Sequence, residues 1–415
     1  MDMDQRKSLS FVAVLQPEDY GPVIRCLIIQ AVTEENLRWL ETYKFPGPVR
    51  DRFRSDSQGN QNPMGTYYTV FPISGPEISW TQGFRYNEKT DRNEYKTPEL
   101  PGLKCARMVC PATNNFTRRR NFTSGKITLR YVDYLPEAYS KSRRGVRTTR
   151  KGTLPLIIWL HGMGEGGVDP TLVLLGNRVT ALAEATVQCY FPETGAAVVA
   201  PQCPTLWMDV DGTGRINDWQ PDLTDGYSFY TEALKGLILH YLQNHPEIDR
   251  SRIYIGGCSN GGFMTLNMLL AMPGFFAAAF PICPAYNARW MNPGRISLFS
   301  KTPMWITAAA TDQTVPLRDA DGNPAYADAL YEKLLAYAGQ ESLSGTKFGE
   351  ITLPNLVYSR LPQVMGYDSQ GFPYEYYGHF SWIPVLQDRI TKEFDREEIH
   401  LFEWLAAKRL ESVGE

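Results

Sequence analysis

The pattern of hydrophobic and polar positions divides the chain into two parts. From residue 154 onward, continuous apolar runs alternate with longer segments in which apolar residues recur at helical spacing. Short apolar runs of this kind are typical of parallel strands that are buried on both faces, and the periodic segments between them predict helices. The predicted strands are 154–160, 196–200, 253–255, 277–282 and 304–310. The predicted helices are 171–185, 227–243, 263–271, 325–336 and 398–410.

The first part of the chain has a different pattern. Short apolar or alternating runs are separated by polar and Pro-rich clusters, and helical spacing is limited to a turn or two at 34–43. This pattern predicts a small β-sandwich with long loops. Residues 127–135 then alternate as an edge strand does, so we place the domain boundary just before them. The prediction is a β-rich domain over 1–125 and an α/β domain with a mainly parallel sheet over 126–415.

Composition narrows the function classes without identifying one. The net charge of −3 gives no basic footprint for nucleic acid or for an anionic membrane. The seven cysteines are an odd number without metal-ligand spacing, which favours buried free thiols. The first residues resemble neither a secretory signal nor a membrane span. This favours the cytoplasm, with secretion left open if the sequence given has been trimmed.

The strongest chemical signal is a serine at a turn between a strand and a helix. The apolar residues 253–255 lead directly into the run GCSNG at 257–261, and an Ala/Leu/Met-rich helical pattern follows. Glycines flank such a serine because the turn is strained and a Cβ atom would collide with neighbouring backbone. The pattern predicts that the hydroxyl of Ser259 is exposed above the end of the sheet. The alternative is a Gly-rich loop that only connects two elements.

A nucleophilic serine needs a base, a group that orients the base, and donors for an oxyanion. Asp312 lies just past a predicted strand in AAATDQTVP at 308–316, and His379 lies in the aromatic loop YEYYGHFSW at 374–382. The order serine, aspartate, histidine is that of α/β-hydrolases. We therefore predict that Ser259, Asp312 and His379 form a catalytic triad. The alternatives are a turn-capping aspartate and an ordinary loop histidine.

The oxyanion donors are predicted to be backbone amides. The run HGMG at 161–164 follows the strand 154–160 and bends the chain so that an amide points at the serine. The amides of Met163 and Asn260 are the candidates, and His161 is then a buried residue that shapes the loop.

Two weaker signals concern a pocket and a metal. Trp207, Trp219, Tyr377 and Trp382 are candidates for a pocket beside the serine, although Trp207 and Trp219 could equally be core residues. The stretch DVDGTGRIND at 209–218 begins like a calcium loop, with Asp209 and Asp211 as candidate ligands. Its twelfth position is Gln220, so an Asp/Gly-rich surface turn is the favoured interpretation and no cofactor is predicted.

Several motifs together resemble a known family. They are LRYVDYLP at 129–136, HGMG at 161–164, APQC at 200–203, DRSRIYIGGCSNGG at 249–262, FAAA at 276–279 and TPMWI at 302–306. In this order they resemble the predicted-peptidase α/β-hydrolases of the prolyl-oligopeptidase-like or polyhydroxybutyrate-depolymerase-like type, many of which behave as carboxylesterases. The resemblance covers about 125–412.

The resemblance implies the same triad of Ser259, Asp312 and His379. It also implies an immunoglobulin-like N-terminal domain, because some relatives carry one. Two positions differ from the family pattern: Cys258 stands where leucine is frequent and Asn260 where methionine is common. Neither removes chemistry, since Asn260 would contribute only its backbone N–H.

These signals predict a serine carboxylesterase that acts on a small-molecule ester through an acyl-enzyme on Ser259. The aromatic residues around His379 hint at aryl or carbohydrate-linked esters. A peptidase acting on short peptides is the main alternative, and a non-catalytic binding protein on a hydrolase scaffold is the third. The N-terminal domain is predicted to serve in packing or homo-oligomerisation, or as a lid.

Overall fold

The computed structural model describes residues 9–136, 152–214, 224–339 and 353–411. The chain divides into two compact units. The first unit comprises Met1–Asn114, Leu175–Arg178 and Tyr367–Tyr374. The second unit comprises Asn115–Leu174, Val179–Gly366 and Glu375–Glu415.

The first unit is built on a five-stranded sheet in the order β3-β4-β2-β1-β7. Neighbouring strands are antiparallel except for β1 and β7, which are parallel. A short hairpin is formed by β5 and β6. The strands are β1 (Leu9–Glu18), β2 (Gly21–Gln30), β3 (Val49–Ser55), β4 (Tyr67–Pro72), β5 (Phe84–Asn87), β6 (Arg92–Tyr95) and β7 (Leu103–Val109).

A single helix, α1 (Glu34–Thr42), lies among the described residues between β2 and β3. It begins where the Thr33 side chain accepts a hydrogen bond from the amide of Asn36, and it buries Leu37 and Leu40. The unit is therefore β-rich with one helix near 34–43, as the sequence predicts. Its immunoglobulin-like character stays a prediction.

The second unit is built on an eight-stranded sheet in the order β15-β14-β13-β12-β10-β11-β9-β8. The six strands from β15 to β11 are parallel to one another, while β9 is antiparallel to both β11 and β8. The strands are β8 (Phe116–Ser124), β9 (Ile127–Tyr134), β10 (Leu154–Leu160), β11 (Ala197–Gln202), β12 (Ile248–Cys258), β13 (Ala278–Ile282), β14 (Met304–Ala309) and β15 (Leu356–Leu361).

Burial explains why these strands could be predicted. Every residue of β10, β11, β13 and β14 is buried, as expected for central strands of a sheet that is covered on both faces. The predicted strand 154–160 has the bounds of β10, and the other predicted strands overlap β11 to β14.

The remaining helices described are α2 (Thr171–Gly176), α3 (Ala185–Gln188), α4 (Thr231–Asn244), α5 (Asn260–Ala271), α6 (Pro293–Phe299), α7 (Tyr326–Tyr337), α8 (Trp382–Leu386) and α9 (Leu401–Ala407). Two further pairs of short strands are β16 (Val364–Tyr367) with β17 (Pro373–Tyr376), and β18 (Thr391–Phe394) with β19 (Glu397–His400). Within the ranges that the structure describes, no helix combines the length and the apolar content needed to cross a bilayer.

Three elements differ from the sequence-based predictions. The second unit begins at Asn115, because β8 pairs with β9 in the large sheet. The predicted helix 171–185 is interrupted: α2 ends at Gly176, and Arg178 has a φ of +55° that a continuing helix does not allow. The predicted helix 398–410 begins only at Leu401, because 397–400 form the strand β19.

Candidate active site

Ser259 lies at a strained turn between β12 and α5. Its φ of +55° and ψ of −114° lie outside the regions that a serine ordinarily adopts, which costs about 1–3 kcal/mol. The surrounding backbone holds this conformation. The amide of Ser259 donates to the carbonyl oxygen of Ile282 at 2.9 Å, and its own carbonyl accepts from the amide of Ala285 at 3.1 Å.

Three glycines around Ser259 are required because a side chain at their positions would collide with neighbouring backbone. A Cβ atom at Gly257 or at Gly261 would overlap the backbone oxygen of Leu160, the last residue of β10. At Gly262 a Cβ atom would lie 2.7 Å from the Cα atom of Pro284. The pattern at 257–261 thus lets the serine turn sit directly against the end of β10, as the sequence predicts.

His379 lies within hydrogen-bond distance of both Ser259 and Asp312. Its Nε2 is 2.9 Å from the Oγ of Ser259, and its Nδ1 is 2.8 Å from the Oδ2 of Asp312. Because the carboxylate can only accept, Nδ1–H donates to Asp312, which leaves Nε2 as the acceptor for the serine hydroxyl. The structure therefore brings together the three residues predicted from the sequence. All three are buried, so the predicted exposure of Ser259 is not observed.

Backbone contacts fix the aspartate and the histidine. Asp312 follows β14, and its Oδ1 accepts from the amides of Thr314 and Val315 at 2.8 and 2.9 Å, so its Oδ2 is left to face the imidazole. His379 lies on the 3-10 turn Gly378–Phe380. A Cβ atom at Gly378 would overlap the backbone of Thr311, so this turn packs closely against the loop that carries the aspartate.

The pKa of His379 is set by opposing effects. Burial lowers the pKa of His379, but the nearby Cys283, the hydrogen bond that His379 donates to Asp312 and the carboxylate charge act in the opposite direction. The net result is a pKa raised above the ordinary 6.5. A base in this environment takes up a proton readily, and the imidazolium that forms is stabilised by Asp312.

The loop at 161–165 carries the first predicted oxyanion donor. Met163 begins the 3-10 turn Met163–Glu165, and Asn260 begins α5, so neither amide has an acceptor within its own helix. His161 is fully buried, and its Nε2 accepts from the amide of Cys203 at 2.9 Å. His161 is therefore the buried, loop-shaping residue that the sequence predicts.

The side chain of Asn260 makes a contact that sequence reasoning did not identify. Its Oδ1 accepts a hydrogen bond of 2.6 Å from the amide of Trp207. This bond ties the residue after the serine to the loop that follows β11. An amide side chain provides this acceptor, whereas the methionine that is common in the resembled family does not.

Cys283 also contacts the triad, and no sequence signal indicated it. It follows β13, its amide donates to the carbonyl of Thr307 at 2.7 Å, and its φ is +35°. Its Sγ lies 3.5 Å from the backbone oxygen of His379 and donates to it. The two residues are 96 positions apart, so only the fold brings them together.

The four residues predicted for a pocket differ in burial and contacts. Trp207 has no exposed surface and packs against His161 with 5.2 Å between ring centroids, so of its two interpretations the core one is observed. Trp382 is also buried, with its ring edge-on to His379 at 5.6 Å. Tyr377 is 46% exposed and its hydroxyl lies 2.9 Å from the Oγ1 of Thr314. Trp219 lies outside the described residues.

The weak calcium candidate has another explanation. The carboxylate of Asp209 is buried and accepts hydrogen bonds from loop donors at 2.7 to 3.1 Å. The donors are the amides of Asp211, Gly212 and Gly214 and the hydroxyl of Thr205. The carboxylate thus closes its own turn, as the favoured interpretation of an Asp/Gly-rich turn expects. Residues 215–218 of the stretch lie outside the described ranges, and calcium binding stays a hypothesis.

Residues 144–338 match the Phospholipase/Carboxylesterase family, Abhydrolase_2. The matched region includes Ser259 and Asp312 and ends before His379. The crystal structure of a thermostable esterase superposes with a TM-score of 0.62 at 20% sequence identity, covering 97% of this chain and 100% of that one. A likeness at this identity shows a shared fold.

A second relative is a protein named "Probable dipeptidyl-aminopeptidase B" from Talaromyces marneffei. It is 22% identical over 242 residues, which are 58% of this chain and 24% of that protein. The chain therefore spans about a quarter of the length of this curated relative.

Proposed function

We propose that this chain, an α/β-hydrolase of the esterase and peptidase-like kind, is a serine hydrolase that cleaves carboxylic esters. The observation that carries the proposal is the hydrogen-bonded series from Ser259 through His379 to Asp312, with separations of 2.9 and 2.8 Å. Ser259 and Asp312 follow the carboxyl ends of the parallel strands β12 and β14, on either side of β13, and this edge is where open α/β sheets bind their ligands. The match of 144–338 to a phospholipase and carboxylesterase family supports an ester as the substrate.

The reaction follows from the positions of the protons. His379 Nε2 removes the proton of Ser259 Oγ while the oxygen attacks the ester carbonyl, and Asp312 keeps Nδ1 protonated and stabilises the imidazolium. The imidazolium then protonates the departing alkoxide, which leaves an acyl group on Ser259. A water molecule, deprotonated by the same nitrogen, attacks the acyl-enzyme. The bond from the acyl carbon to Oγ then breaks, the imidazolium returns its proton to Oγ, and the acid is released.

The amides of Met163 and Asn260 are the proposed donors for the oxyanion. Each is the first N–H of a helical segment, so it is available for an acceptor from outside and lies at the positive end of the segment. In the proposal, the strained turn at Ser259 presents Oγ and the Asn260 amide to the same carbonyl group. The removal of one such donor typically costs about 10²–10³ in kcat.

The choice of substrate rests on the exposed aromatic surface near the histidine. Tyr377 is 46% exposed, and its ring packs edge-on against Phe380 at 5.8 Å. We propose that this ring contacts an aryl or sugar group of the ester. The buried Trp382 does not contact the substrate in this proposal and instead supports the imidazole from behind.

Ester turnover by the wild type and by Ser259→Ala tests the proposal. A panel of nitrophenyl esters with increasing acyl length and of feruloyl and acetylated-sugar esters measures kcat/KM. We expect turnover by the wild type and a loss of about 10⁴-fold or more in Ser259→Ala. Ser300→Ala is the matched control, because Ser300 is exposed and its hydroxyl donates to the carbonyl of Ser297 at the end of α6. Unchanged turnover in Ser259→Ala would overturn the proposal.

A peptidase is the second candidate, favoured by the 22% identity to a dipeptidyl-aminopeptidase. The same triad chemistry can cleave amides, but the amine is a poor leaving group and must be protonated before it departs. Aminoacyl-proline anilides assayed beside the nitrophenyl esters decide between the two, and faster turnover of the anilides would favour the peptidase.

A further inference from the structure

Cys283, Asp312 and His379 form a compact cluster of potential metal ligands. One ligand atom from each residue, the Sγ, a carboxylate oxygen and a ring nitrogen, lies within 4.8 Å of the other two. All three side chains are buried. The triad chemistry uses the aspartate and the histidine, but it assigns no part to the thiol.

The three ligand types in this cluster all bind Zn²⁺. A thiolate, an imidazole and a carboxylate are the groups that bind Zn²⁺ in proteins, and a thiolate also favours the softer Cd²⁺. Around a tetrahedral Zn²⁺ the ligand atoms would be roughly 3.5 Å apart. The ligand atoms lie within 4.8 Å of one another, so side-chain movements that shorten the longest separation by up to about 1.3 Å would close the cluster around an ion.

We propose that Cys283, His379 and Asp312 form an inhibitory site for a soft divalent cation, with Zn²⁺ or Cd²⁺ as the ligand. This inference rests on the proposed function, because it assigns regulation to the same histidine and aspartate. An ion on Nδ1 displaces the proton that is shared with Asp312, and an ion on Nε2 occupies the lone pair that receives the serine proton. Either arrangement stops the reaction.

The thiol decides whether an ion is held. Without Cys283 the cluster has two protein ligands, an imidazole and a carboxylate, and metal affinity falls with the number and softness of the ligands. Binding releases the thiol proton, and also the Nδ1 proton if the ion takes that nitrogen, so the cation competes with protons.

The experiment compares inhibition by Zn²⁺ in the wild type, Cys283→Ala and Cys189→Ala. The assay measures ester hydrolysis over a series of buffered free Zn²⁺ concentrations without reducing agent, and each variant is compared with its own metal-free rate. Cys189 is the matched control because it is the cysteine with an exposed side chain among the described free cysteines. Cys283→Ser replaces Cys283→Ala if the alanine variant does not fold.

We expect inhibition of the wild type and of Cys189→Ala that a chelator reverses. The inhibitory concentration should rise at least tenfold in Cys283→Ala or Cys283→Ser. A second readout is the near-ultraviolet absorption of a Cd²⁺–thiolate bond, which should appear in the wild type and in Cys189→Ala and be lost in the Cys283 variants. Equal sensitivity of the wild type and the Cys283 variants would overturn the proposal, as would a wild type that Zn²⁺ does not inhibit.

Labelling by a fluorophosphonate in metal-free buffer separates this proposal from the proposed function. A wild type that is labelled and hydrolyses esters but resists Zn²⁺ contradicts only the metal site. A wild type that is never labelled contradicts the serine hydrolase itself, and the Cd²⁺ absorption still reports whether the cluster binds a metal.

Discussion

Replacement of Asp312 by asparagine should disable the site while leaving the fold in place. Asparagine has the same shape, and its oxygen can still accept from the amides of Thr314 and Val315 as Oδ1 does. Its NH₂ group would then face the Nδ1 of His379 in place of the carboxylate oxygen, which now lies 2.8 Å away. Two donors cannot share that contact, so the imidazole is driven to the tautomer that carries its proton on Nε2.

The size of the effect follows from this geometry. An Nε2–H donates to the hydroxyl of Ser259 and cannot remove its proton, and the developing imidazolium also loses its buried counter-charge. The same exchange in the well-studied Ser-His-Asp proteases lowers kcat by about 10⁴. That factor corresponds to about 5 kcal/mol of transition-state stabilisation. We expect a loss of this order, mainly in kcat.

The assay is steady-state hydrolysis of the best ester, with circular dichroism and thermal unfolding to show that the variant is folded. Asp319→Asn is the matched control. Asp319 belongs to the same loop and accepts from two backbone amides, but it is exposed and does not contact the histidine. A folded Asp312→Asn variant that loses less than about tenfold would refute the orienting role of Asp312.

Three further predictions concern the base, the turn and the pocket. The neutral imidazole of His379 is the active form and its pKa is raised, so kcat/KM should fall as the pH drops through a value above 6.5. An acid limb at or below 6.5 in the wild type would contradict the assignment. Gly261→Ala should lower kcat by about 100-fold or more, because its Cβ would overlap the Leu160 carbonyl and displace the serine turn. Tyr377→Ala should raise KM for aryl esters about two- to tenfold, the value of one aromatic contact, and leave KM for acetyl esters unchanged; an equal rise for both would exclude an aryl contact.

The central sheet could be predicted because its strands are buried on both faces. The run at 154–160 is entirely apolar, and each of its residues is buried in β10. The serine turn could be predicted for a related reason, since the glycines at 257 and 261 reflect a close approach to the Leu160 backbone. In both cases a local pattern of residues reports a local steric requirement.

The C-terminal hairpin could not be predicted in this way. Asp395 and Arg396 connect β18 to β19 with φ values of +49° and +73°. A two-residue turn with positive φ values usually contains glycine or asparagine, and this turn contains neither. The residues that follow have apolar spacing that is typical of a helix, so the sequence predicts a helix from 398. In the structure, the strand β19 continues to residue 400 before the helix begins.

Contacts between residues that are far apart in the sequence could not be predicted either. The thiol of Cys283, just after β13, donates to the carbonyl of His379 in the turn at 378–380, and only the fold brings these two segments together. Trp207 was a candidate for the pocket because it is aromatic and near the active edge. Its burial follows from packing against His161 and from the hydrogen bond between its own amide and Asn260. Neither outcome has a signature in the residues next to it.

The covalent adduct formed by a fluorophosphonate tests the central claim most directly. The folded wild type is labelled, digested and mapped by mass spectrometry. The triad geometry predicts one adduct, on the Oγ of Ser259, that is absent in Ser259→Ala and forms far more slowly in His379→Ala. A folded wild type without an adduct, or with its adduct on another serine, would contradict Ser259 as the nucleophile.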